Sequence, residues 1–189
     1  MNENHHYENS LFGFWIYLMT DLLTFAVLFA AFAVLRNNTF GGPTGRELFD
    51  LKFVLTETVI LLVSSFTCGL AVVGMHRGNK NLVLAWFAVT FALGITFLVM
   101  EGREFSHLIS EGNSWRRSAS LSSFFTLVGT HGLHISIGLL WMLISMITVW
   151  FRGLTPFVQS KLTRLSLFWH FLDIVWIFIF TIVYLMGVI

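Results

Sequence analysis

Five stretches of the chain are apolar almost without interruption: residues 11–35, 52–74, 82–103, 121–151 and 165–188. Each is long enough for the roughly 20 residues that carry a helix across a hydrocarbon core of about 30 Å. Helices are the consistent reading, because backbone polar groups in lipid must be satisfied within the segment. A barrel would need an even set of much shorter alternating strands. The polar segments between the stretches read as connections. Asn37–Leu51, with Asn37-Asn38, Gly41-Gly42-Pro43 and Gly45, is a turn between spans one and two. His76–Asn81 is short and sets spans two and three as an antiparallel hairpin. Glu104–Ser120 is longer, with Ser118 or Ser120 placed to cap the fourth helix. Pro43 and Pro156 both fall in connections, so nothing resembles the broken helices of many secondary transporters. With no repeat, low-complexity tail or soluble domain, the predicted fold is all-α: a polytopic bundle of five transmembrane helices in a single transmembrane domain over 1–189.

Composition agrees with that pattern. Hydrophobic residues make up 56% of the chain and charged ones 11%, with mean hydropathy +0.79, too little polar surface to cover a soluble fold. A formal net charge of +1 with no basic patch gives no reason to expect a nucleic-acid partner. Met1–Ser10 carries Glu3, His5, His6 and Glu8 but no Lys or Arg, so it lacks the basic start of a cleavable signal peptide. The first stretch is therefore expected to be retained as a helix. Trp15, Tyr17, Trp86, Trp150 and Tyr184 lie near predicted span ends, as interface anchors do, while Trp141 and Trp176 are expected in the core. Cys68 has no partner for a disulfide or metal cluster and reads as a small buried hydrophobe. Charge does not set the orientation. Arg77, Lys80, Arg152, Lys161 and Arg164 on one side face Arg36, Arg46, Lys52, Arg103, Arg116 and Arg117 on the other.

The candidate chemistry lies in the ionisable groups inside the spans: Asp21, Glu57, Glu101, His131, His134, His170 and Asp173. A charge at membrane depth is costly, so each such group must be paired, neutralised or functional. His131 and His134 are three apart on one helix face, as are His170 and Asp173, and two polar faces on consecutive helices suggest that they meet. An Asp beside a His can fix the ring tautomer and share a proton with it. Thr20 or Thr24 could satisfy part of Asp21, and Arg103 could pair with Glu101 or Glu104 at the headgroup level. Several readings remain open: interhelical hydrogen-bond clips, a proton or ion path, a lipid or quinone headgroup site, and haem or metal ligation. The last is the poorest fit, because His131 and His134 cannot flank one haem and no soft cage of Cys and Met stands at matching positions. No nucleophile and base are set by spacing, so no hydrolase site can be assigned. Gly129, Gly132 and Gly138 thin the fourth helix and let a neighbour approach closely.

Thr130-His131-Gly132-Leu133-His134 followed by Gly138-Leu139-Leu140-Trp141, together with Trp169-His170-Phe171-Leu172-Asp173-Ile174-Val175-Trp176, resembles subunit III of the haem-copper oxidases. The likeness is closest to the bacterial cytochrome o-type ubiquinol oxidase branch. It extends through Phe12–Met19, Gly42–Gly45, Phe53–Thr58, Ser64-Ser65 and Val183–Gly187, essentially the whole chain in order. The resemblance implies a five-helix, cytochrome c oxidase subunit III-like fold in a bacterial inner-membrane complex that oxidises ubiquinol, reduces oxygen and moves protons outward. It implies an accessory subunit with no redox centre, the haems, copper and ubiquinone belonging to the catalytic subunit I, with subunits II and IV and phospholipid as further partners. It places the N-terminus in the cytoplasm and the C-terminus in the periplasm. Glu57, His131, His134, His170 and Asp173 match its intramembrane polar positions, and Glu101 its acidic third-helix exit. On this basis Glu57 and His134 are expected to form one interhelical clip, extended by His131 and His170–Asp173, with Asp21 and Glu101 as further members. A stand-alone transporter or proton-conducting subunit built on the same residues is the alternative.

Overall fold

The computed structural model describes residues 2–36, 38, 51–113 and 115–186, with only the backbone of residues 2–10. Most of the expected 37–51 turn, including Pro43, lies outside the described residues, as does Gly187. Five long helices make up the described chain: α1 Asn2–Leu35, α2 Leu51–His76, α3 Lys80–Ser110, α4 Ala119–Arg152 and α5 Pro156–Ile179. Each contains an apolar segment long enough to cross a bilayer. A π-helical turn, Phe180–Leu185, continues α5, with Met186 N–H donating to Thr181 C=O.

The helix ends follow local chemistry rather than hydropathy. Both α2 and α3 stop at glycines in the left-handed region, Gly78 at φ +67° and Gly112 at φ +79°. At each, two backbone N–H groups fold back onto carbonyls of the last turn: Asn79 to Gly74 and Gly78 to Met75, Asn113 to Leu108 and Gly112 to Ile109. That paired closure satisfies acceptors the helix would otherwise orphan. Side chains cap the starts: Asn79 Oδ1 accepts from Leu82 N at 3.2 Å, and Ser118 Oγ from Leu121 N at 3.2 Å. Thr155 accepts from Val158 N, with Pro156 in the first turn, so α5 begins well ahead of residue 165 and the α4–α5 connection shrinks to Gly153–Thr155. Likewise α3 runs past residue 103 to Ser110. Its 31 residues span about 46 Å at 1.5 Å per residue, so its polar last turns emerge beyond the hydrocarbon.

Helices α2 to α5 pack together, while α1 lies to one side against α4 and α5. Its inward positions are Leu11, Phe14, Leu18, Asp21, Phe25, Leu28, Phe32 and Leu35, alternately three and four apart, with Phe29 beside them. That is a 3.5-residue seam, the geometry of a helix laid nearly parallel along a neighbour. The other side chains of α1 between residues 12 and 34, including Phe12, Trp15, Leu23 and Val27, are exposed. At the centre of the other helices Trp169 is seated on two glycines. A Cβ on Gly94 would lie 2.9 Å from its ring and 2.8 Å from Leu139, and one on Gly138 would lie 3.2 Å from the ring. Trp176 is fully buried; Trp141 is partly buried against Phe14 and Phe168.

Candidate functional site: the intramembrane polar contacts

The polar groups inside the bundle fall into three separate sets. The first is a ladder between α2 and α5. Trp176 Nε1 donates to Thr58 Oγ1 at 3.1 Å and Trp169 Nε1 to Ser64 Oγ at 3.1 Å. Ser65 Oγ and His170 Nδ1 share a 2.6 Å hydrogen bond, and Cys68 Sγ donates to Ser166 Oγ at 3.7 Å. From Thr58–Trp176 through the adjacent pairs Ser64–Trp169 and Ser65–His170 to Cys68–Ser166, the bonds follow two antiparallel helices. Asp173 sits beside Ser65 and His170, with Oδ1 unpartnered. Thr67 and Thr90, 2.8 Å apart, make the corresponding tie from α2 to α3. Cys68, expected to act as a small hydrophobe, is fully buried and also belongs to the ladder.

The second set fastens α1 to α4. His134 Nε2 stands 3.5 Å from Asp21 Oδ2, while its Nδ1 bonds the Thr130 carbonyl at 2.7 Å. Both side chains are about one-sixth exposed, at 16% and 15%, so the pair lies within the α1 seam rather than outside it. The threonines proposed for Asp21 bond backbone instead: Thr20 to Tyr17 C=O and Thr24 to Thr20 C=O.

The third set gathers where the end of α3 meets the start of α2 and the π-helical turn. Tyr184 OH donates to Glu104 Oε2 at 2.8 Å. Glu57 and Glu101 lie within electrostatic reach of that pair, buried and with oxygens unpartnered. Glu101 presses on α4 where only glycine fits: a Cβ on Gly132 would stand 2.6 Å from its Oε1. His131 is fully buried beside this region, stacked on Trp176 at 5.2 Å and edged by Phe97 and Phe25. Those three rings wall in its imidazole, which leaves no open face for a macrocycle.

One expected contact is therefore replaced. His134 pairs with Asp21 on α1, not with Glu57: both imidazoles touch Phe25 of α1, but His131 turns on to Trp176 of α5 and Phe97 of α3. The α4 and α5 faces do meet, but through His131 on Trp176 rather than through His170–Asp173, which turns to α2. Glu104 takes its bond from Tyr184, and Arg103 is exposed. Sequence reasoning missed the small partners Thr58, Ser64, Ser166 and the phenol of Tyr184. For Thr58 and Ser64 the signal was present as hydroxyls along α2, opposite the Trp169–Asp173–Trp176 stripe of α5. Among the described residues no group of three or more His, Cys, Asp or Glu has metal-holding geometry.

A bundle of five helices long and apolar enough to cross a bilayer, with buried polar contacts between helices and many large apolar side chains exposed, is a polytopic helical membrane protein. The chain belongs to the cytochrome c oxidase subunit III family, whose profile matches residues 4–188. It is 60% identical over 179 residues to cytochrome bo(3) ubiquinol oxidase subunit 3 of Pseudomonas aeruginosa, covering 95% of this chain and 86% of that one. To the protein of the same name in Pseudomonas putida it is 53% identical over 181 residues, 96% and 87% of the two chains. To quinol oxidase subunit 3 of Bacillus subtilis it is 49% identical over 178 residues, 94% and 87%.

Proposed function

We propose that this chain is the accessory third subunit of a bacterial quinol oxidase: a membrane-embedded partner of the catalytic subunit I, without a redox reaction of its own. The observation that carries the reading is near-full-length identity to quinol oxidase subunits from both Pseudomonas and Bacillus. The polar sets suit such a role, because each joins one helix to another. Haems, copper and ubiquinone are assigned to the partner. Subunits II and IV complete the complex, in the bacterial inner membrane with the N-terminus cytoplasmic and the C-terminus periplasmic. Phospholipid fills the surfaces that the bundle leaves open. Glu57, Glu101, His131, His170, Asp173 and the Asp21–His134 pair act as joinery that keeps α1 and the four-helix core in one arrangement.

Deleting the chain tests this. Membranes lacking it should hold less assembled quinol oxidase, seen as loss of haem-bearing complex on native gels and of quinol-driven oxygen uptake, both restored by the wild-type chain. Unchanged yield and turnover would remove the assembly role.

A further inference from the structure

His170 and Ser65 lie inside the apolar stretches of α5 and α2. Arg164 precedes His170 by six residues and His76 follows Ser65 by eleven, about 9 and 16 Å of helix, so the pair sits within the hydrocarbon layer rather than at its edge. At that depth no water serves a polar group, and one left facing lipid is costly. The Ser65 hydroxyl serves Nδ1 of the imidazole at 2.6 Å, with Asp173 beside both. The other nitrogen is left over. His170 is half-buried, and its Nε2 bonds none of the described residues, yet it is not one of the buried atoms without partners, so it reaches the outer face of the bundle. That face is otherwise apolar: Leu62 and Phe66, flanking Ser65 on α2, and Ile174, one turn along α5, are exposed. A Cβ on Gly69, one turn from Ser65, would meet nothing within 4 Å, so the face is open there to close approach by another helix. The other two histidines of the bundle interior are used within the chain, His134 on Asp21 and Thr130, and His131 among its three rings.

We propose that this α2–α5 edge seats a transmembrane helix of a partner protein, which crosses at Gly69 and Phe66 and places a hydroxyl or carboxamide side chain against His170 Nε2. Polar complementarity selects the occupant. Lipid tails offer no hydrogen-bonding group, and headgroups lie at the level of Arg164 rather than of His170. A hydroxyl or carboxamide both donates and accepts, so it meets Nε2 in either tautomer, and being neutral it brings no second charge out of water. A helix is the carrier because its own backbone is satisfied in lipid. Ser65 and Asp173 hold the ring from the inner side, which fixes the direction in which Nε2 is offered. The inference rests on the proposed function only in taking the partner to be another subunit of the oxidase.

Photo-cross-linking in native membranes tests this, with a diazirine amino acid in place of Phe66 or Ile174 in the full chain and the products read by mass spectrometry. Both positions should join the chain to the same partner protein, through a transmembrane peptide that carries a hydroxyl or carboxamide residue. His170→Leu should lower the cross-linking yield and weaken retention of that partner in detergent about threefold, the size of an average hydrogen bond between membrane helices. His170→Gln, whose carboxamide can stand in for Nε2, should restore part of both. Cross-links to lipid or quinone alone, or yield and retention unchanged in His170→Leu, would overturn the proposal. Haem in the purified complex reports on the oxidase reading separately. A haem-free partner at this edge would remove that reading and leave the seam, whereas an intact haem-bearing complex with only lipid at Phe66 and Ile174 would do the reverse.

Discussion

Single residues in this bundle matter through the space and the bonds they give a neighbouring helix. Gly132 shows the first: its missing side chain makes room for the Glu101 carboxyl, so in Gly132→Ala that buried carboxyl must move aside. Overpacking of this kind costs about 1–3 kcal/mol. Gly132→Ala should therefore unfold at lower denaturant than wild type in bicelles, and Glu101→Ala in the same chain should restore part of the loss. Additive effects of the two changes would show that the contact does not set the spacing. The residue scale is also where the sequence was least legible. Asp21, Glu57, Glu101, His131, His134, His170 and Asp173 stand out because charge in an apolar run is conspicuous. Thr58, Ser64 and Ser166 do not, because a hydroxyl inside a membrane helix can always bond its own backbone, as Thr58 does with Val54 C=O at 2.9 Å. Which hydroxyls also accept an indole N–H depends on the facing helix.

Among the elements, α1 is the one attached by a single seam. Its 3.5-residue pattern supplies packing along α4 and α5, and a polar group at one seam position fixes the register of two helices at some cost in stability. Asp21 against His134 holds that position. A double-mutant cycle of Asp21→Ala and His134→Ala should give a coupling of about 0.6 kcal/mol, the average for side-chain hydrogen bonds between membrane helices, and no more than about 1.7 kcal/mol. Disulfide cross-linking of Cys pairs introduced across the α1–α4 seam should become less selective for one register when Asp21 is lost. No coupling, with unchanged cross-linking, would leave α1 placed by apolar packing alone. Element existence was plain from hydropathy, whereas element ends were not. Hydropathy marks where lipid begins, but α3 ends at the closure around Gly112 and α5 starts at Thr155-Pro156. The Thr-Pro start is a local signal that apolar length hides. Pairing was less legible still: spacing put His131 and His134 on one face, but that face is wide enough to serve two neighbours.

At the scale of the whole molecule, the five-helix order and near-full-length family match place the chain in a larger membrane assembly, and its orientation there is testable directly. With the proposed cytoplasmic N-terminus, reporter fusions at Gly78 and Gly153 should behave as cytoplasmic and those at Gly112 as periplasmic. The reverse pattern would overturn that placement, which the nearly balanced distribution of Lys and Arg does not decide. The carboxyl set around Glu104 and Tyr184 would then lie in the outer half of the bilayer. The most direct check on the central claim is mild-detergent purification through a tag on this chain, followed by an absorption spectrum and a quinol oxidation assay. A haem-bearing partner and quinol-dependent oxygen consumption should copurify with the chain, while the chain stripped of partners should show no Soret band. A chain that purifies free of haem protein from membranes with active quinol oxidase, or that carries a Soret band alone, would contradict it.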